Sequence, residues 1–290
     1  MRGVPELPDL AILADAFDGA LAGRPIIAVE TADPLVLRAT PDQVMSLVGE
    51  ALHSVERRGK HLILRLDTRD LWVAPMLTGR LGLAPPGATR KKAAARLVFG
   101  GRLTAPRPPA EWVAGAAWLP PDDEELELRY LDPTHMGKLY LAPARDPWGI
   151  PGVAQLGPDA DDPSLTLDAW QARIRRHPGE LKSLLRNQAF IAGIGNAYSD
   201  EILWEARLSP FRRRSTLAPE ETAVLHEAAR STLADAVDVL RRRVPPTFEK
   251  QVRDHLRVHL RGGLPCVRCG ATISQVGGRE ATSYCRTCQR

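Results

Sequence analysis

PCVRCGATISQVGGREATSYCRTCQR, residues 265–290, closes the chain and holds all four of its cysteines. Cys266, Cys269, Cys285 and Cys288 follow the pattern C-x2-C-x15-C-x2-C, within the spacing of a four-thiolate zinc site. Each C-x2-C pair fits one tight knuckle with both sulfurs inward. Two knuckles together supply the tetrahedral sulfur set that Zn2+ takes in closed, structural sites. The competing readings are two disulfides or four unrelated thiols. Disulfides suit small secreted domains, whereas this chain has 290 residues and no other cysteine. One structural zinc is therefore the expected cofactor, and a closed site has no open position for chemistry. The reactive groups must lie elsewhere in the chain.

Working outward, the tail is basic. From Arg241 to Arg290, eleven Lys plus Arg stand against three Asp plus Glu, a local net charge of +8. The whole chain carries +4, so the first 240 residues carry −4. Such asymmetry fits a polyanion-binding face. It also fits a solvated arginine-rich tail, and composition alone leaves both open. Hydrophobic content of 44% and charged content of 26% are ordinary for a globular protein. No apolar run reaches membrane-span length. The start, Met1-Arg2-Gly3-Val4-Pro5-Glu6-Leu7-Pro8, lacks the apolar core of a secretory signal. Intracellular, cytoplasmic residence is therefore the expectation.

The pattern ahead of the tail changes once. Leu10, Leu13, Phe17 and Leu21 repeat at helical spacing within Asp9–Leu21, and Gly23 follows. Strand signals come next, at Ile26–Val29, His61–Leu66, Leu71–Ala74, Arg96–Phe99, Leu126–Leu131 and Lys138–Leu141. Five prolines and three glycines between Pro143 and Pro163 mark a linker. Beyond it, Leu225, Ala229, Leu233, Val237 and Leu240 predict one long helix with Pro219 in its first turn. The expected fold is multidomain α+β. A β-rich domain led by a helix spans 1–145, a helical domain 146–255 and a zinc-held ribbon 256–290.

Three short motifs are ambiguous singly. Gly193-Ile194-Gly195-Asn196-Ala197-Tyr198 precedes a helical-looking segment, Ser199–Arg207. Its glycines let backbone approach closely, and N–H groups at a helix start make a phosphate seat. Tight connections of the same composition are common. Arg57-Arg58-Gly59-Lys60 leads into a strand, which places Lys60 at a strand mouth or simply on the surface. Pro5-Glu6-Leu7-Pro8-Asp9 suits any first helix. His255 and His259 are spaced for one helix face, with no further ligand to complete a second metal set.

Taken in order, these motifs and the terminal knuckles, with Gly278-Arg279 and Tyr284-Cys285 inside the last element, resemble the formamidopyrimidine-DNA glycosylase/endonuclease VIII family of base-excision repair enzymes. The resemblance spans nearly the whole chain. It implies an N-terminal β-sandwich, a helix–two-turn–helix domain and a zinc finger, in a nucleoid-associated monomer acting on damaged double-stranded DNA. It implies an N-terminal proline nucleophile, here Pro5, and a carboxylate that handles protons at the sugar, here Glu6. Lys60, Asn196 and Arg279 match phosphate-holding positions. The inserting methionine ahead of Thr-Gly-Arg-Leu aligns with Leu77, with Met76 beside it.

Departures from the family pattern bear on mechanism and substrate. Pro5 follows Val4 in peptide linkage, and an amide nitrogen is no nucleophile. The expectation is a true start at Val4, read as methionine from a GUG codon and trimmed to expose Pro5. Without that exposure, the alternative is a damaged-DNA binding protein of the same fold that lacks lyase activity. An unrelated zinc-ribbon nucleic-acid binder would leave the Pro-Glu and Arg-Arg-Gly-Lys motifs to chance. Where the purine-specific branch carries Asp-x-Arg-Arg-Phe-Gly, this chain has Asp132-Pro133-Thr134-His135-Met136-Gly137. Thr134 lacks the donor fork an arginine presents to a base. The segment Val244–Arg261 is also short for a lesion-covering loop. These changes disfavour strict 8-oxoguanine opposite cytosine. Oxidised pyrimidines, abasic sites or unusual adducts are the favoured substrates.

Overall fold

Helix α1 (Leu7–Leu21) is apolar on nearly every side, and Leu7, Leu10, Phe17 and Leu21 are wholly buried, as expected of a helix inside a core. A computed structural model describes residues 3–88, 92–278 and 280–290. These divide into two compact units that are not collinear with the chain. The first comprises the residues up to Pro5, Asp9–Ala154 and Leu240–Val252. The second comprises Glu6–Pro8, Gln155–Val239 and Arg253–Arg290.

The first unit is built on two sheets. One has the order β1 (Ile26–Thr31), β7 (Ala95–Phe99), β8 (Leu126–Leu131), β6 (Arg80–Ala84), all antiparallel. The other runs β2 (Leu37–Arg38), β9 (Lys138–Pro143), β5 (Arg69–Ala74), β4 (His61–Leu66), β3 (Leu52–Arg58). Its β2–β9 pair is parallel and the rest antiparallel. Between β2 and β3, the short helix α2 (Pro41–Met45) is started by a reciprocal Thr40–Gln43 capping box. Side chains alternate across the pleat. Leu62, Leu64, Leu71, Val73 and Leu139 are buried on one face of the second sheet. The same register puts Glu56, Ile63, Arg65, Asp70 and Trp72 on the other face. Just past α1, the wholly buried Arg24 donates to the carbonyls of Ala20, Gly100, Glu124 and Pro121. It ties the helix end to two loops, and carbonyls accept all of these bonds.

The second unit is helical and ends in a ribbon. Helices α3 (Leu167–Ile174), α4 (Leu181–Arg186), α5 (Asn196–Glu205) and α6 (Pro219–Arg243) surround a core centred on Trp170, Phe190, Tyr198 and Leu203. From α6, Leu225, Ala229, Leu233 and Ala236 join it at helical spacing. Strands β10 (Ser274–Val276) and β11 (Thr282–Tyr284) pair antiparallel between the two cysteine knuckles. Residues 251–260 are irregular, so His255 and His259 do not share a helix face, contrary to their spacing. No described helix is long and apolar enough to cross a membrane.

Candidate DNA-repair site

In the second unit, Glu6 is 3% exposed and its carboxylate meets the start of α5. It accepts the N–H groups of Gly195 (2.6 Å), Ala197 (2.8 Å) and Tyr198 (3.2 Å). A helix start offers such unpaired donors and a favourable dipole for negative charge. The turn that reads as a phosphate seat is therefore occupied by the protein's own carboxylate. The glycines belong to this packing. A Cβ on Gly195 would fall 2.4 Å from the Glu6 carboxyl carbon, and one on Gly193 would fall 2.9 Å from Leu7. The Leu7 N–H completes the dock on the Gly193 carbonyl at 3.0 Å.

Asn196 opens α5, and its Nδ2 donates to the Ala281 carbonyl at 3.2 Å while the buried Oδ1 has no partner among the described residues. One helical turn on, Asp200 gathers three groups that the sequence does not connect. Lys182 Nζ lies 2.6 Å from Oδ1, while His259 Nδ1 (2.8 Å) and the Ser283 N–H (3.2 Å) meet Oδ2. Asp200 and Lys182 are almost wholly buried. Burial pulls the Lys182 ammonium below its ordinary pKa, and Asp200 opposes that pull. The one signal in the sequence is the i, i+4 spacing of Asn196 and Asp200 on one helix face. Nothing in the sequence ties Lys182 to it. Glu201, next along, accepts the N–H groups of Arg257, Val258 and His259, each at 2.8 Å. That grip orders the irregular segment carrying both histidines.

The four cysteine sulfurs lie within 4.8 Å of one another. Cys266 and Cys288 sulfurs are 3.9 Å apart and those of Cys269 and Cys285 are 3.6 Å apart. Ligands of a tetrahedral zinc–thiolate site lie about 3.8 Å apart, given zinc–sulfur bonds of about 2.3 Å. The donor set therefore fits one zinc, and no two sulfurs are bonded. Hydrogen bonds close both knuckles: Gly270 N–H to the Cys266 carbonyl, and Gln289 N–H to the Cys285 carbonyl. The Trp204 indole N–H of α5 donates to Cys266 Sγ at 3.4 Å, and Arg268 stacks 3.7 Å above the same indole. Burial alone pushes the Cys266 thiol up, but this bond and the N–H groups of Arg268 and Cys269 bring its pKa to about 6. Arg279 lies outside the described residues.

In the first unit, β3 and β4 join through Gly59-Lys60, with Arg58 paired to His61. Gly59 has φ +57°, the left-handed value a two-residue hairpin needs at its first turn position. Lys60 thus sits half-buried at a hairpin tip. Between β5 and β6, the Gly79 N–H closes on the Pro75 carbonyl. Arg80 holds the turn through the Gly79 (2.6 Å) and Leu77 (3.3 Å) carbonyls. Met76, at φ +50°, is 46% exposed there, while Leu77 is half-buried. The neighbouring Asp132–Gly137 loop is organised by the buried Asp132, which accepts the Gly137 N–H (2.6 Å), the Thr134 N–H (3.3 Å) and the Thr78 hydroxyl. Thr78 also bonds Thr134, which joins the two loops. Thr134 and Met136 are exposed. Pro5 is buried. Ahead of it, the Gly3 N–H donates to Gln251 Oε1 (2.9 Å), and its carbonyl accepts from Arg80 (3.0 Å).

Two family models match the chain. The formamidopyrimidine-DNA glycosylase N-terminal domain covers residues 4–139 and the formamidopyrimidine-DNA glycosylase H2TH domain covers 156–244. Formamidopyrimidine-DNA glycosylases of Roseiflexus sp. (strain RS-1) and Pelotomaculum thermopropionicum are 32% and 30% identical to it. The matches cover 99% of this chain and 100% and 99% of those proteins. The solved MutM (Fpg) protein of Thermus thermophilus is 28% identical, with TM-score 0.76 over 98% of each chain. The Lactococcus lactis Fpg, solved in complex with abasic site containing DNA, shares the fold at TM-score 0.81 and 23% identity, over 98% of this chain and 99% of that one. Together with the Glu6 dock on α5 and the sulfur set, these likenesses over its whole length show that this chain belongs to the formamidopyrimidine-DNA glycosylase family.

Proposed function

We propose that the protein is a base-excision repair DNA glycosylase with abasic-site lyase activity on damaged double-stranded DNA. The observation that carries this reading is Glu6, which directly follows Pro5 and is locked by three backbone N–H groups. A carboxylate held this firmly fixes the chain beside it, and positioning is a large part of a catalytic group's effect.

In this mechanism the target nucleotide leaves the stack, as base chemistry on duplex DNA requires. The Pro5 nitrogen, as a free secondary amine, attacks the sugar C1′. The N–C1′ bond forms, the C1′–base bond breaks, and the base departs with a proton. Ring opening leaves an iminium that acidifies the C2′ hydrogen. Its loss expels the 3′ phosphate, and water then releases proline. An α-amino group has a reference pKa of roughly 7.7–8.0, so a useful fraction is neutral near pH 7. Glu6 serves the sugar's protons, and Lys60 at its hairpin tip and Asn196 hold phosphates. Such contacts position DNA without reading sequence. Met76, the exposed residue of its turn, supplies the wedge in preference to Leu77. Arg279 is assigned a phosphate contact from the sequence pattern. One zinc on the four cysteines stabilises the ribbon.

The substrate reading follows from the Asp132–Gly137 loop. Thr134 and Met136 offer no bidentate fork to an opposite base, so strict recognition of 8-oxoguanine opposite cytosine is not proposed. Excision assays on duplexes carrying oxidised pyrimidines, oxidised guanine or an abasic site test this. Preferential processing of the first or last supports it, and strict cytosine-paired 8-oxoguanine activity contradicts it. A second reading, damaged-DNA binding without lyase chemistry, is favoured by one observation. The Gly3 bonds to Gln251 and Arg80 hold the peptide preceding Pro5 in place, and in that linkage its nitrogen is an amide.

A further inference from the structure

The outer face of the second sheet holds a cavity whose lining includes none of the residues assigned above to the repair reaction. It measures about 500 Å³, within the range of small-molecule sites. Its floor is the face of β3, β4 and β5 that points away from the apolar core. Its far wall is the segment after β9. Arg57, Arg58, Arg65 and Arg145 line it against a single acid, Glu56, and Trp72 and Trp148 supply its apolar surface.

The two indoles differ. Trp72 is 3% exposed, and its N–H has no partner among the described residues. Arg65 lies over its ring at 5.8 Å and is anchored by Glu56 at 2.8 Å and by Asp70. Trp148 is 82% exposed, the most exposed large apolar side chain described. Its loop is nevertheless built. The Arg145 N–H donates to Asp70 at 2.8 Å, Trp148 N–H to Asp146 at 3.1 Å and Ile150 N–H to the Pro147 carbonyl at 2.9 Å. Arg145 itself sits at φ +61°, a conformation a non-glycine residue adopts only when its surroundings impose it. A well-held loop that displays a bare indole beside an exposed guanidinium matches the way proteins grip unpaired bases. Aromatic faces stack the base, and cations take the phosphate.

We infer that this cavity binds one nucleoside phosphate, its base stacked on Trp148 and its phosphate held by Arg145. The shared chemistry has two sources, a base in a nucleic-acid strand and a free nucleotide. The test is calorimetric titration of the full-length protein with 5′-dAMP, inorganic phosphate and a single-stranded pentanucleotide, in wild type and in the Trp148→Ala/Arg145→Ala variant. Both positions are exposed, so the variant should keep its melting temperature. The expected result is saturable binding of dAMP or the pentanucleotide that weakens by roughly tenfold or more in the variant, the size of one lost stack with its cation. Tighter binding of the pentanucleotide names the strand as the source, and equal binding names the free nucleotide. Phosphate binding as tight as dAMP, affinities unchanged in the variant, or no binding by wild type would each overturn the assignment. None of these outcomes depends on strand nicking, so the repair reading stands or falls separately.

Discussion

The two units treat their polar side chains in opposite ways. In the helical unit, Glu6, Asp200, Lys182 and Glu201 are buried, and each meets a partner fixed by the fold. In the β-rich unit, Met76, Thr134, Met136 and Trp148 project from turns whose backbones are held rigid. The first arrangement positions backbone and holds each charged group in one orientation. The second offers bare surface on a stiff support. A motif rich in glycine and donors belongs to the first class here, although its composition reads as the second.

The largest effect expected from this contrast is at the sulfur set. Cys285→Ser, or chelation of the metal, should unfold the ribbon, because structural zinc contributes about 10–16 kcal/mol to such sites. Loss of one zinc per chain by atomic absorption, with collapsed DNA affinity, checks this. Retained affinity in zinc-free protein would break the comparison. Next comes the buried ion pair. Lys182→Met leaves Asp200 without its cation and should destabilise the protein by about 3–5 kcal/mol, read as a lowered urea midpoint. A midpoint within error of wild type would move Lys182 out of the buried class.

Glu6→Gln should cost about 1–3 kcal/mol, since an amide oxygen cannot serve the three N–H donors that two carboxylate oxygens serve. Nicking of abasic DNA should fall by about a hundredfold or more. A variant with full stability but no nicking would mean that Glu6 acts on substrate alone. Met76→Ala should leave stability unchanged and weaken binding to abasic duplex several-fold, because its side chain is exposed. A comparable loss of melting temperature would place it in the core instead.

The smallest effect is at Glu56. Burial pushes its carboxyl up, but Arg65 outweighs that and holds it below its ordinary 4.5. A depressed carboxyl stabilises the fold above its unfolded value and loses that contribution as pH falls. The melting-temperature gap between wild type and Glu56→Gln should therefore be widest above pH 4.5 and close below it. A gap that widens on acidification would contradict the pairing.

Legibility in the sequence follows the range of the interactions. His61–Leu66 and Leu126–Leu131 are readable from alternation, and the helix with Pro219 in its first turn from its apolar spacing. The cysteine spacing identifies the sulfur set because both knuckles are local. β3 escapes such a reading because Arg57 and Arg58 end it and Glu56 belongs to its outer face, so its apolar signal is short. β6 escapes it because Arg80 and Gly82 interrupt the strand, and that arginine is explained by contacts distant in sequence, Gly3 and Gln251, as well as by the turn carbonyls beside it. Helix α1 begins two residues before the predicted Asp9, where the Gly193 carbonyl docks Leu7. The Glu6 contact joins positions 189 residues apart, a distance no local pattern reports. The spacing of His255 and His259 suggests a helix that Glu201 replaces with an irregular turn.

The central claim is a proline nucleophile, and borohydride trapping on abasic-site duplex DNA tests it most directly. Protein beginning at Pro5 and protein beginning at Met1 would be compared, with the adduct mapped by peptide mass. The account predicts a covalent adduct on Pro5 only when its nitrogen is a free amine. No adduct from the Pro5 protein, or an equal adduct on a lysine in both, would contradict it.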